Sequence, residues 1–199
     1  MCLIVFYTDP MSKISFKPGT LIYPLPAVMV SCGDIDGERN ILTVAWTGTV
    51  CSDPAMCYIS VRKERFSHHL IAEHGEFVIN LTTQELAYAT DWCGVKSGRD
   101  FDKFKEMKLT AERAQMVKAP LIGESPLNIE CRVTEINELG SHDMFLAEVV
   151  AVDAEEKLID KSTGSFQLNH AQPLAYSHGR YYGLGERLGG FGFSVKKKH

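Results

Sequence analysis

The 199-residue sequence has no apolar run of membrane-spanning length, no excess of basic charge, no cysteines at zinc or thioredoxin spacing, and no linker-like stretch. Each absence removes a class of protein. The opening apolar run, Cys2–Tyr7, falls far short of the ~20 residues a membrane helix needs, and no basic residue precedes Lys13, so it does not read as a signal peptide. A net charge of −4 argues against nucleic acid as a partner, because such domains are usually strongly basic. The six cysteines (Cys2, Cys32, Cys51, Cys57, Cys93 and Cys131) never stand two residues apart, which excludes the common zinc-ribbon and redox spacings. They are also too sparse for a disulfide scaffold. Reduced thiols and a cytoplasmic location are the expectation. A chain of this length buries roughly 70% of its unfolded surface and needs no staple.

What is present is an ordinary folding composition, 45% hydrophobic and 23% charged, with its strongest pattern in β-strands. Ala27–Cys32, Ile41–Trp46, Cys57–Val61 and Phe77–Leu81 are short, β-branched or aromatic, and bounded by turn residues. Leu127–Leu139 alternates apolar and polar until Ile136 falls out of phase, which predicts a bulge near Glu135. Phe145–Val152 is apolar on both faces and reads as a central strand, joined to the preceding one by a turn over Leu139–Asp143. Helical signals are few. Ser67 is placed to cap a helix over 68–74 that stops at Gly75. Thr82-x-x-Glu85 reads as a capping box ahead of Leu86, Ala89, Thr90 and Cys93, and Ser97-x-x-Asp100 as a weaker start. The expected architecture is mainly β with short helices (α+β), a small barrel in one domain over residues 12–199. Met11-Ser-Lys looks like a second start, leaving residues 1–11 as an extension outside the core.

The segment from Asn40 to Leu70 carries the chemistry. One strand runs into Thr47-Gly48-Thr49, a turn at Ser52-Asp53-Pro54 leads into a second strand, and that strand ends at Arg62, five residues before Ser67. A helix start offers unpaired N–H groups and a partial positive charge, suited to a phosphate monoester. Arg62 adds a two-pronged cation and Ser67 a hydroxyl. On the residues alone a second reading stands beside this one: Ser67 only caps its helix, and Arg62 is a solvated strand end.

The stretch NILTVAWTGTVCSDPAMCYISVRKERFSHHLIAEHGEFVINL resembles the first half of the flavin reductase-like domain, the FMN-binding split-barrel family. CGVKSGRDFDKF, SPLNIECRV and LGSHDMFLAEVVAV match its second half, and the closing YYGLGERLGGFGFSV resembles its flavoredoxin branch. The resemblance implies a homodimer of split β-barrels holding FMN non-covalently. Carried over by position, Trp46 and Thr47 meet the polar edge of the isoalloxazine, Ser60 and Val61 line the ring, and Arg62 and Ser67 take the phosphate, with Lys103 as a second cation. It further implies an oxidoreductase drawing on NAD(P)H or, in the alternative, an FMN electron carrier that exchanges electrons with proteins. His142 sits where the family places a nicotinamide contact, although Gly140-Ser141 stands here in place of the family's Gly-Asp pair; a water-exposed turn histidine is the other reading.

The remaining constellations carry less. Gly183-x-Gly185 lacks the third glycine of a dinucleotide fingerprint, having Leu188 there. Ser141-His142-Asp143 holds the residue types of a hydrolytic triad, but neighbours in extended chain face opposite ways. Cys51, Cys57, His68, His69 and His74 match no metal-ligand spacing and read as core thiols and surface imidazoles. A redox role for Cys93 needs a low pKa that spacing does not reveal. Tyr181-Tyr182 either reaches a partner's flavin or packs on the barrel, and packing is the expectation. Lys196–Lys198 reads as a solvated tail.

Overall fold

The computed structural model describes residues 14–195, so the opening extension and the Lys196–Lys198 tail lie outside the described residues. The chain order is β1 (Leu25–Pro26), β2 (Val28–Gly33), β3 (Arg39–Val44), β4 (Thr47–Ser52), β5 (Ala55–Arg62), α1 (Phe66–His74), β6 (Glu76–Leu81), α2 (Ala87–Val95) and α3 (Lys103–Glu106). After these come β7 (Ala111–Glu112), β8 (Leu121–Ile122), β9 (Leu127–Glu138), β10 (His142–Ala154), β11 (Leu174–Ser177) and β12 (Arg180–Gly183). Seven strands form one antiparallel sheet in the order β3-β2-β6-β9-β10-β5-β4. The sheet curls on itself: Leu42 and Val44 near one edge share a core with Ile59 and Val61 near the other. The Ser60 N–H donates to the Trp46 carbonyl at 2.9 Å, joining the end of β3 to β5. A mainly β fold with short helices is therefore what the sequence builds.

Alternation within β2 explains its complete burial. Val28, Val30 and Cys32 point into the barrel, while Met29 points to a second core with Ile41, Leu86, Cys93 and Phe104, where α2 and α3 cover the sheet. Each such apolar side chain contributes about 1.5–3 kcal/mol through burial. Leu70 and Ile71 of α1 pack against the barrel core, and Gly75 ends that helix at φ +67°, a left-handed turn that favours glycine. Glu130 is the one carboxylate with no exposed surface among the described residues. Its oxygens accept the N–H groups of Gln115, Met116 and Val117 at 2.8, 2.6 and 3.1 Å, which offsets the desolvation of a buried charge.

Several local expectations shift. The irregularity near Glu135 falls at Thr134, which has no partner because Leu146 pairs with Glu135 and Ala147 with Val133. β10 is interior to the sheet, yet only one of its faces is deeply buried, and Val152 is exposed. The turn expected at Ser52-Asp53-Pro54 is present at Asp53-Pro54, but the residues before it, Thr47–Ser52, form an edge strand, β4, that was not expected, because its half-exposed side chains give no clean alternation. The cap of α1 is Arg65, not Ser67, because the helix begins two residues early and turns the Ser67 hydroxyl inward. Thr82 donates its hydroxyl to the Ala27 carbonyl, and it is Thr83 that accepts the Leu86 N–H at 3.3 Å. Asp102, not Ser97, caps α3, accepting the Lys105 N–H at 3.2 Å. Among the described residues no helix is long and apolar enough to cross a membrane.

Candidate functional site

Two cavities meet at Leu42, Arg62 and Arg65. The first, about 350 Å³, lies where β3 leaves the sheet beside β5 and the start of β10. Trp46, Ser60, Val61 and His142 form one side, and Tyr23, Tyr176 and Tyr181 line it from the three-stranded sheet β1-β11-β12. The β9–β10 turn closes at Gly140 (φ +89°), so His142 is the first residue of β10, paired in register with Arg62. Its ring meets Trp46 edge-on at 4.8 Å. Burial, then the Arg62 guanidinium, lowers the His142 pKa, favouring the neutral ring. Burial and the Asp91 carboxylate push the Tyr181 phenol up to about 12, so it stays a neutral donor. This cavity is lined mainly by aromatic and apolar groups, with Arg62, Arg65 and Asp91 its charged members.

The second cavity, about 510 Å³, is electrostatically different. Arg62, Arg65, Lys96, Arg99 and Lys103 line it against a single acid, Glu64. Arg62 and Glu64 are 3.5 Å apart with both side chains largely exposed, a pair worth about 0–1 kcal/mol and easily displaced. Ser67, wholly buried, accepts the Asn40 amide N–H at 2.8 Å beneath the first turn of α1. Lys103 is 3% exposed, and its ammonium donates to the Ile41 and Cys93 carbonyls, each at 2.7 Å. Burial lowers its pKa to about 8. Gly98 makes room here: a Cβ at this position would stand 2.4 Å from Asn40 Oδ1 and 2.6 Å from Phe66 Cδ1. A surplus of cations around a helix N-terminus suits an oxyanion group.

The match to known proteins agrees with this geometry. The family model described as "Flavin reductase like domain" matches residues 20–185. The chain belongs to that family. Among solved structures it is similar to the flavoredoxin of Desulfovibrio vulgaris (Miyazaki F), 31% identical with a TM-score of 0.85, covering 93% of this chain and 100% of that one. The flavoredoxin from Methanosarcina acetivorans is 28% identical with a TM-score of 0.83 over the same shares. A third relative is the reductase component of a 4-nitrophenol 4-monooxygenase/4-nitrocatechol 2-monooxygenase from Rhodococcus opacus, 25% identical over 87% of this chain and 82% of that protein. Within the flavin reductase-like family the chain stands in the flavoredoxin branch, and its barrel is the family's split barrel.

Of the residues expected to form the site, Trp46, Ser60, Val61 and His142 gather in the aromatic cavity, Ser67 and Lys103 in the cationic one, and Arg62 in both. Thr47 is the exception. Its hydroxyl donates to the Tyr58 carbonyl at 2.6 Å and its N–H to the Ala45 carbonyl at 3.1 Å, so it braces the wall from behind. His142 is half-buried at the cavity, not a solvated turn residue. Asp143 faces away from it, bonded to His68 at 2.8 Å, so the Ser141-His142-Asp143 run does not assemble as a relay. That His68–Asp143 bond ties α1 to β10. Tyr181 packs on Tyr176 at 5.5 Å and lines the cavity of its own chain. Asn40, Arg65, Lys96, Gly98 and Arg99 were not singled out from the sequence. The charged run from Arg62 to Arg65 and the cations flanking Ser97-Gly98 were the available signal.

Proposed function

We propose that the paired cavities hold FMN, and that the protein is an oxidoreductase moving electrons from NAD(P)H through the flavin to an acceptor. The observation that carries this reading is the junction at Arg62, where an aromatic cavity meets a cationic one. A ring system with a phosphate tail fits that shape and that charge gradient. Arg62, Arg65 and Ser67 would take the phosphate, with Lys103 supplying charge from below, and Trp46, Ser60 and Val61 would border the ring. Bound FMN supplies hydride and single-electron chemistry that no side chain here offers. The chain's part is to orient the ring, keep His142 neutral at its edge and leave one ring face open to a donor. The reductase component of the Rhodococcus opacus monooxygenase, as its name describes it, supports an enzymatic role.

A second reading has its own support. The likeness to two flavoredoxins favours an electron carrier that exchanges electrons with proteins and ignores nicotinamide. Anaerobic mixing of the FMN-loaded protein with NADH and with NADPH separates the two. Bleaching of the flavin absorption within a turnover supports the reductase; an unchanged oxidised spectrum with either nucleotide overturns it in favour of the carrier. A colourless protein that takes up no added FMN overturns both. We further propose a homodimer in a reducing, cytoplasmic compartment. Phe191, Phe193, Leu188 and Val195 stand exposed near one end of the chain, and Ile14, Phe16 and Ile22 near the other, apolar side chains that a second copy would cover. Sedimentation at micromolar concentration tests it: a monomer contradicts the dimer.

A further inference from the structure

We infer that Cys57 and Cys131 form a reversible dithiol–disulfide centre inside the barrel, oxidised by hydroperoxides. The two sulfurs lie 3.5 Å apart and no other pair of cysteines among the described residues comes so close. They sit on β5 and β9, the two strands that flank β10, and reach each other across it. Ala147 is the reason they can. It pairs with Cys57 on one side and Val133 on the other, two residues along from the Val149–Cys131 pair, and its side chain is a single methyl. A disulfide needs about 2.05 Å between sulfurs and Cα atoms within about 7 Å, so bond formation draws β5 and β9 toward each other across β10 as the side chains rotate.

The two thiols are not equivalent. Cys57 is 7% exposed and Cys131 is not exposed at all, so Cys57 is the residue nearer solvent. The hydrogen bond between them lowers the Cys57 pKa and raises that of Cys131, so Cys57 is also the first to ionise. Cys32 and Cys93 provide the contrast: burial pushes them up to about 12 and about 11, and neither faces a second sulfur. The chemistry balances in two steps. The Cys57 thiolate attacks the peroxide O–O bond, giving a sulfenic acid and hydroxide, which takes up the proton that Cys57 released. The Cys131 thiol then displaces water from that sulfenic acid, giving the disulfide. Overall, two thiols and one hydrogen peroxide give one disulfide and two waters, and a dithiol reductant returns the pair.

Peptide mapping of the full chain tests this after brief exposure to hydrogen peroxide, with free thiols blocked in denaturant and no reductant. A Cys57–Cys131 linked peptide, lighter than its parts by two hydrogens and lost on dithiothreitol treatment, is the expected result. With Cys131→Ser, Cys57 should instead be trapped as a sulfenic acid by dimedone. Wild-type mapping decides the matter even if that variant folds poorly. Cys57 and Cys131 remaining fully blocked as thiols while Cys51 oxidises, or Cys57 passing to sulfinic acid in the wild type without a cross-link, overturns the proposal.

Discussion

The two cavities differ in what builds them. The aromatic one is set by the sheet: Trp46 leaves the end of β3, Ser60 and Val61 come from β5, and His142 opens β10, with strand pairing fixing their register. The cationic one is assembled from the strand end at Arg62, the first turn of α1, the 96–99 loop and the start of α3. On the proposed reading, one is a surface that would meet the ring and the other a gathered set of charges that would meet the phosphate. Their effects on ligands should therefore separate cleanly, and substitutions in each should move different quantities.

Arg62→Ala is expected to do the most. Losing a charge-assisted contact of about 2 kcal/mol should weaken FMN binding roughly thirty-fold, with little change for riboflavin, which has no phosphate; equal losses for both would remove Arg62 from the phosphate. Gly98→Ala comes next. Its methyl displaces Asn40 from Ser67 and crowds Phe66, an overpacking cost of about 1–3 kcal/mol that should lower FMN affinity roughly tenfold and spare riboflavin. Trp46→Ala belongs to the other cavity and should weaken FMN and riboflavin alike, by about three- to tenfold, as expected for one lost aromatic contact. A loss confined to FMN would misassign Trp46.

The smallest effect is one of pH. Lys103 loses its proton near 8 in the flavin-free protein, so FMN affinity should fall a few-fold as pH rises from 7 to 9, and Lys103→Met should flatten that slope. The sign for stability is the reverse. The folded pKa lies below the ordinary 10.5, so the folded state binds fewer protons between about 8 and 10.5, and stability of the flavin-free protein should rise with pH across that window. Titration of FMN binding and thermal unfolding at three pH values read both.

Legibility in the sequence follows the same division. The shorter barrel strands were visible as β-branched or aromatic runs bounded by turn residues and β9 by its alternation, whose phase break at Ile136 marked the bulge at Thr134. β4 was not, because an edge strand with half-exposed faces has no alternation to read. The β11–β12 hairpin, which supplies Tyr176 and Tyr181, lies too far along the chain for its role in the aromatic cavity to be read locally. In the cationic cavity Ser67 was found through a helix-start signal that turned out two residues displaced, and its hydroxyl faces Asn40 instead of capping. Lys96 and Arg99 look like ordinary surface cations until the 96–99 loop is placed beside α1. Charges converging from distant segments leave no periodicity.

The most direct test of a single ligand spanning both cavities is calorimetric titration of the flavin-free protein with FMN and with riboflavin, side by side. The account predicts that both bind and that FMN binds at least about tenfold more tightly, the difference one charge-assisted phosphate contact supplies. Equal affinities, or uptake of neither, would contradict it.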